Sequence, residues 1–185
     1  MTNIQLSPLT LEDYFILADQ TDDQTEFING EMIVMTRPTP AHQMISGLIF
    51  VFLWFCIRKI GGKAYQDVEM VFDDENSVAP DVVCIAKNNP RCQITDKWLY
   101  GVPDLAVEIL SASTGKRDRG EKYHLYEKYG VAEYWLIDPA NQYVEVFIHV
   151  DSAYRRLGVF APDDTFSSPV LGQLVDVAAI LREVD

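Results

Sequence analysis

Two carboxylates in this sequence stand where a carboxylate is costly. Asp81 opens the apolar run Val82-Val83-Cys84-Ile85, and Glu108 lies inside Leu105-Ala106-Val107-Glu108-Ile109-Leu110, which has no other polar side chain after Asp104. A lone ionised carboxylate in a core costs several kcal/mol unless it is paired or bound to a metal. If the two runs are neighbouring strands, one hard divalent cation, Mg2+ or Mn2+, can bridge both groups. The spacing alone leaves another reading open, in which each carboxylate merely caps a strand or pairs with an arginine, Pro80-Asp81 being also a common start of a turn.

A cation follows at helical spacing. Asp118, Lys122, Tyr126 and Tyr129 share one helix face, while Glu121, His124 and Lys128 point elsewhere. With that face against the sheet, the Lys122 ammonium can stabilise charge that develops on a phosphate or an attacking water. The competing reading is a solvated Asp118–Lys122 pair worth a few tenths of a kcal/mol.

The elements that must position these groups can be read along the chain. Thr10, with acidic residues just after it, caps a helix ending near Gln20. Thr25–Ile28 and Glu31–Met35 flank Asn29-Gly30, a strong short-range hairpin signal. Pro38 and Pro40 close the hairpin, and a helix runs from Ala41 to Ile60, stopping at Gly61-Gly62 with Arg58 and Lys59 in its last turn. Being apolar nearly all round, that helix is expected to be covered on most sides. Its apolar stretch, Met44 to Ile57, covers 14 residues, short of the roughly 18 needed to span a bilayer. The N-terminus shows no basic region followed by an apolar core. A buried helix, with no membrane as partner, is the expectation.

Strands are predicted at Ala64–Phe72, Pro80–Ala86, Asp104–Leu110, Glu133–Ile137, Tyr143–Val150 and Tyr154–Phe160. Lys87–Gly101 reads as a loop, Lys116–Tyr129 as a helix stopped by Gly130, and Val170–Leu181 as a short strand or helix. No repeat or linker interrupts the pattern, so residues 1–185 are expected to form one α/β domain on a mixed sheet.

The formal net charge is −13, which argues against nonspecific coating of nucleic acid by a basic surface. A cation held by carboxylates inverts the local sign, so a polyanion can still be met at one site. Cys56, Cys84 and Cys92 are odd in number and widely spaced; they encode neither a disulfide framework nor a zinc ribbon, and a reducing, cytoplasmic setting fits. Nucleophile-elbow, dinucleotide, phosphate-loop and His-Glu-x-x-His signatures are missing; Gly115-Lys116 lacks the flanking residues of a phosphate loop.

Taken together, Pro80-Asp81, Glu108-Ile109-Leu110-Ser111, Asp118-x3-Lys122-x3-Tyr126 and Gly130-Val131-x-Glu133-Tyr134-Trp135-Leu136-Ile137-Asp138 resemble a bacterial endonuclease family of the PD-(D/E)XK superfamily. The Glu26–Glu31 hairpin, with Pro40 and His42 opening the long helix, is similar to that family's N-terminal signature. The resemblance spans about residues 10–180. It implies a restriction-endonuclease-like core, a mixed β-sheet flanked by helices with an N-terminal helix and β-hairpin. It implies metal-dependent hydrolysis of nucleic-acid phosphodiesters, DNA before RNA, with a homodimer as a further expectation. Asp81 and Glu108 would hold Mg2+ (or Mn2+) with the Ile109 carbonyl, Lys122 would serve the reacting phosphate, Glu31 would be the first acidic element, and His42 would lie near the site. One departure is plain: the residue two after Glu108, lysine in the superfamily's pattern, is Leu110, and the resemblance moves that role to Lys122. Lys116, Arg117 and Arg119 are the fallback cations. A nuclease-fold module that binds nucleic acid or protein without cutting is the alternative, because fold does not dictate function.

Overall fold

The computed structural model describes residues 9–111 and 114–181. Helix α1 (Leu11–Ala18) is opened by a capping box, in which Thr10 accepts from the Asp13 N–H and Asp13 returns a bond to the Thr10 N–H. Strands β1 (Thr25–Ile28) and β2 (Glu31–Val34) then form the predicted hairpin, with Asn29 and Gly30 both at positive φ as a tight two-residue turn demands. Helix α2 (Pro40–Lys59) starts at Thr39, whose hydroxyl accepts from the His42 N–H, and carries Pro40 in its first turn.

Next come β3 (Lys63–Gln66), β4 (Met70–Asp73), β5 (Asn76–Val78) and β6 (Val82–Ile85). The single strand expected over Ala64–Phe72 is in fact two. Asp67, at φ 50°, sends the chain from one sheet to the other. The segment expected as a loop over Lys87–Gly101 contains two short strands, β7 (Cys92–Ile94) and β8 (Leu99–Gly101). Beyond β9 (Leu105–Ile109), the predicted helix is present but not uniform: α3 (Gly115–Arg117) leads into a π-helical turn at Asp118–Lys122, then α4 (Tyr123–Tyr129). Gly130, at φ 67°, ends it. Strands β10 (Glu133–Asp138), β11 (Tyr143–Val150) and β12 (Ala153–Phe160) follow, then a hairpin of β13 (Thr165–Ser168) and β14 (Gln173–Asp176), and α5 (Ala178–Leu181). The ambiguous tail is therefore both strand and helix.

Two six-stranded mixed sheets result, ordered β2-β1-β5-β4-β8-β7 and β12-β11-β10-β9-β6-β3. In the second, β9 pairs with β10 in parallel and with β6 antiparallel. Its alternation separates two cores. Val82, Cys84, Leu105, Val107 and Ile109 face α2 and the C-terminal hairpin; Val83, Ile85 and Ala106 face Leu125, Tyr126 and Tyr134. Helix α2 is less covered than expected. Ile45, Ile49, Leu53, Cys56 and Ile57 are buried, but Met44, Val51 and Phe55 are about half exposed. By length and composition this helix could cross a membrane, with a third of the relevant window buried; here its buried face packs on β3, β6 and β9.

Candidate active site

The alternation in β6 and β9 decides where the carboxylates go. Glu108 has the parity of Ala106, so its side chain leaves the α2 face and enters the side covered by the helix from 115 to 129. Val82 stands opposite Val107; one step further along that antiparallel register, Asp81 stands opposite Glu108. Asp81 is fixed there by its Oδ2, which accepts the Ile109 N–H at 2.7 Å. The sheet thus brings the two predicted acids to one place.

The π-helical turn delivers the cation. Lys122 is 2% exposed, and its Nζ lies 2.7 Å from Glu26 Oε1 and 2.9 Å from Glu108 Oε1. One turn later, Tyr126 OH donates to the same Glu108 oxygen at 2.6 Å. The turn itself is anchored by Tyr134 OH, which donates to the Asp118 carbonyl at 2.9 Å. A π-turn inside a helix commonly marks a functional position. His42, in the first turn of α2, places Nε2 3.5 Å from Asp81 Oδ1 and 3.3 Å from the Ile109 carbonyl oxygen.

Glu26, His42, Asp81, Glu108 and Lys122 line a cleft of about 420 Å³, together with Asp67, Glu69, Asp118 and Arg37. Its electrostatics follow from crowding of like charge in a dry place. Burial pushes Glu108 well above the usual carboxylate range, and the opposing pull of Lys122 does not cancel it. Burial also raises Asp118 to about 6. Asp67 and Glu69 are raised by burial too, Asp67 further by the charge of Asp81. Lys122 moves up despite its own burial, because Glu108 and Glu26 hold the charged form. His42 is raised chiefly by its hydrogen bond to Asp81.

Of the residues expected from sequence, Asp81, Glu108, the Ile109 carbonyl and Lys122 come together, with His42 beside them. Glu31 does not join them. It lies exposed in β2, paired across the hairpin with Ile28, outside the cleft lining. Glu26 of β1 stands there instead, 2% exposed against Lys122. The strand signal could have found it, since Glu26 sits between Thr25 and Phe27 in a fully buried strand. Asp118 was visible only as a helix-face neighbour of Lys122. The fallback cations are engaged elsewhere: Arg119 with Glu145 and Tyr143, Arg117 with Glu121. Lys116 does not line the cleft.

Among the described residues, no three His, Cys, Asp or Glu side chains are gathered as a ready metal cage. The donors that converge are carboxylates and a backbone carbonyl, oxygen ligands of the kind a hydrated hard cation takes from protein. The raised pKa of Glu108 comes first from burial, and the donor type fits a divalent cation.

A solved structure from Anabaena variabilis, described as a putative nuclease, superposes with a TM-score of 0.79 at 22% identity, over 96% of this chain and 100% of that one. It shows that the two chains share a fold. Two uncharacterized proteins of Synechocystis are similar in sequence. One is 27% identical over 70% of this chain and 75% of its own length, the other 24% identical over 96% and 92%. A family model described as a putative restriction endonuclease matches residues 11–179, nearly the whole length. The chain thus belongs to that family, Uma2, whose description supports a nuclease-like function.

Proposed function

We propose that this protein is a divalent-cation-dependent endonuclease that hydrolyses phosphodiester bonds in nucleic acid, DNA foremost. The observation that carries this reading is the convergence of Asp81 and Glu108 from paired strands with the Lys122 ammonium, 2.9 Å from Glu108. Asp81, Glu108 and the Ile109 carbonyl would hold Mg2+ or Mn2+, and a cation bound there supplies Lewis acidity toward the phosphoryl group and a water nucleophile. The chain's own residues do the rest. The Ile109 N–H orients Asp81. Tyr126 orients Glu108 by donating to the same oxygen, Oε1, that accepts from Lys122. Lys122, kept charged by two carboxylates, provides a fixed positive group for the charge that grows on the phosphate.

One observation favours a second reading. Lys122 is already engaged by Glu26 and Glu108, as it would be in a fold that binds without cutting. A single assay separates the two. Plasmid, linear duplex, single strands and structured RNA are incubated with Mg2+ or Mn2+, using wild type and Glu108→Gln. Cleavage by wild type alone supports the enzyme. A Glu108→Gln protein that cuts at the wild-type rate removes the site proposed here, and binding of nucleic acid without cleavage by either protein selects the non-catalytic module.

A further inference from the structure

We propose that an open groove beside the cleft docks a basic polypeptide, one that presents apolar side chains between lysines or arginines. The groove, of about 910 Å³, is lined by α1 and the turn before β8. Its floor is apolar, made by Leu11, Phe15 and Ile16 of α1 and by Trp98 of the turn. Phe15 and Trp98 stack almost parallel, at 3° with ring centroids 4.5 Å apart, and both are only half-buried. Ile16 is 53% exposed. The Trp98 backbone is pinned by Thr95, whose hydroxyl donates to the Trp98 carbonyl at 2.6 Å and accepts from its N–H at 3.0 Å. The aromatic surface is thus preorganised, and little further ordering is lost on binding. Apolar and aromatic side chains left open to water inside a polar rim are the form that a protein-docking surface takes.

The rim identifies the partner's chemistry. Glu12 of α1, Asp19 at its end and Asp74 after β4 are all exposed, and they stand against a single lysine, Lys97. None of the three carboxylates forms an ion pair among the described residues. Lys97 lies 5.7 Å from the Trp98 ring centroid, so the indole already draws a cation. A partner's arginine or lysine finds both an aromatic face and acids that lack a counter-charge. Other occupants fit less well. A nucleic acid would bring phosphates against three carboxylates, and a second copy of this chain, at a net charge of −13, would add like charge. Phe15 lines the cleft as well as the groove. A basic partner seated here therefore carries positive charge to the rim of an acid-lined cleft, where on the nuclease reading it helps to receive a phosphodiester. The docking itself does not rest on that reading.

The test is fluorescence anisotropy of the full chain, in chelator, with three labelled peptides of about 12 residues. The first carries leucines at helical spacing among lysines and arginines. In the second the leucines are serines, and in the third the basic residues are glutamates. The first should bind at least about tenfold more tightly than the second, and the third should not bind. Ile16→Glu should weaken the first peptide at least about tenfold although it adds negative charge, and Trp98→Ala should do the same. Thermal melting verifies that both variants fold. Nonspecific attraction to an acidic chain gives the opposite sign for Ile16→Glu. Binding of the first peptide no tighter than the second, or undiminished by Ile16→Glu, overturns the docking site. A labelled oligothymidylate that binds wild type in chelator and is lost in Trp98→Ala overturns it in favour of a base-stacking surface. The nuclease reading is untouched by either failure, since no cleavage is measured.

Discussion

Asp118 carries the clearest residue-scale consequence. Its folded-state pKa is pushed by burial to about 6, above the 3.8 usual for an aspartate, so the native state keeps a proton that the unfolded chain has released. Stability from this group is therefore full at low pH, falls as pH rises from about 4 to about 6, and stays lost above that. Removing the charge should reverse the loss. In chelator-treated buffer, Asp118→Asn should be more stable than wild type at pH 7.5 by at most about 3 kcal/mol, and equal to it near pH 4. Denaturant unfolding at the two pH values checks this; a variant less stable at pH 7.5 would mean that Asp118 has a partner after all. At this scale the sequence was informative where a polar residue interrupts an apolar strand. Asp81 and Glu108 announced themselves that way, and Lys122 by its helix face. Glu31 and Glu26 show the limit: both are acids of one hairpin, and only the three-dimensional pairing tells which one turns inward.

Elements were legible where their punctuation is strong. Thr10, Asn29-Gly30, Thr39-Pro40 and Gly130 each end or begin an element where the local chemistry requires. What escaped were features set by tertiary position. The corner at Asp67 divides a run that is continuous in β propensity, and β7 and β8 are three residues each, too short to show a period. Helix α2 is the other case. Its apolar residues run all round, yet only one face is buried, because hydrophobicity alone does not say which side meets the sheet. The two faces should respond differently to substitution. Leu53→Ala should cost about 2–5 kcal/mol, while Phe55→Glu, on the exposed face, should change stability by less than about 0.5 kcal/mol. Parallel urea titrations test both, and a large loss in Phe55→Glu would show that the outer face is covered in solution.

For the whole molecule, charge is the governing quantity. A chain of net charge −13 with an acid-lined cleft has little reason to attract a polyanion unaided. Nucleic-acid binding, followed by anisotropy with Glu108→Gln to prevent turnover, should be negligible in chelator and appear only with Mg2+ or Mn2+ present. Binding that is equally tight without divalent ions would place the nucleic-acid surface away from the cleft. The overall architecture was legible because alternating strands and helices leave few layered solutions; the division into two sheets was not, since the chain changes sheets at short corners between β3 and β4, β5 and β6, and β8 and β9.

That division gives Lys122 a mechanical role. Glu26 belongs to the hairpin sheet and Glu108 to the other, and one ammonium fastens both, at 2.7 and 2.9 Å, with no slack. Any slippage of one sheet past the other is transmitted straight to the proposed site. Substitutions that loosen the inter-sheet seam far from the cleft should therefore erode turnover while the melting temperature has barely moved.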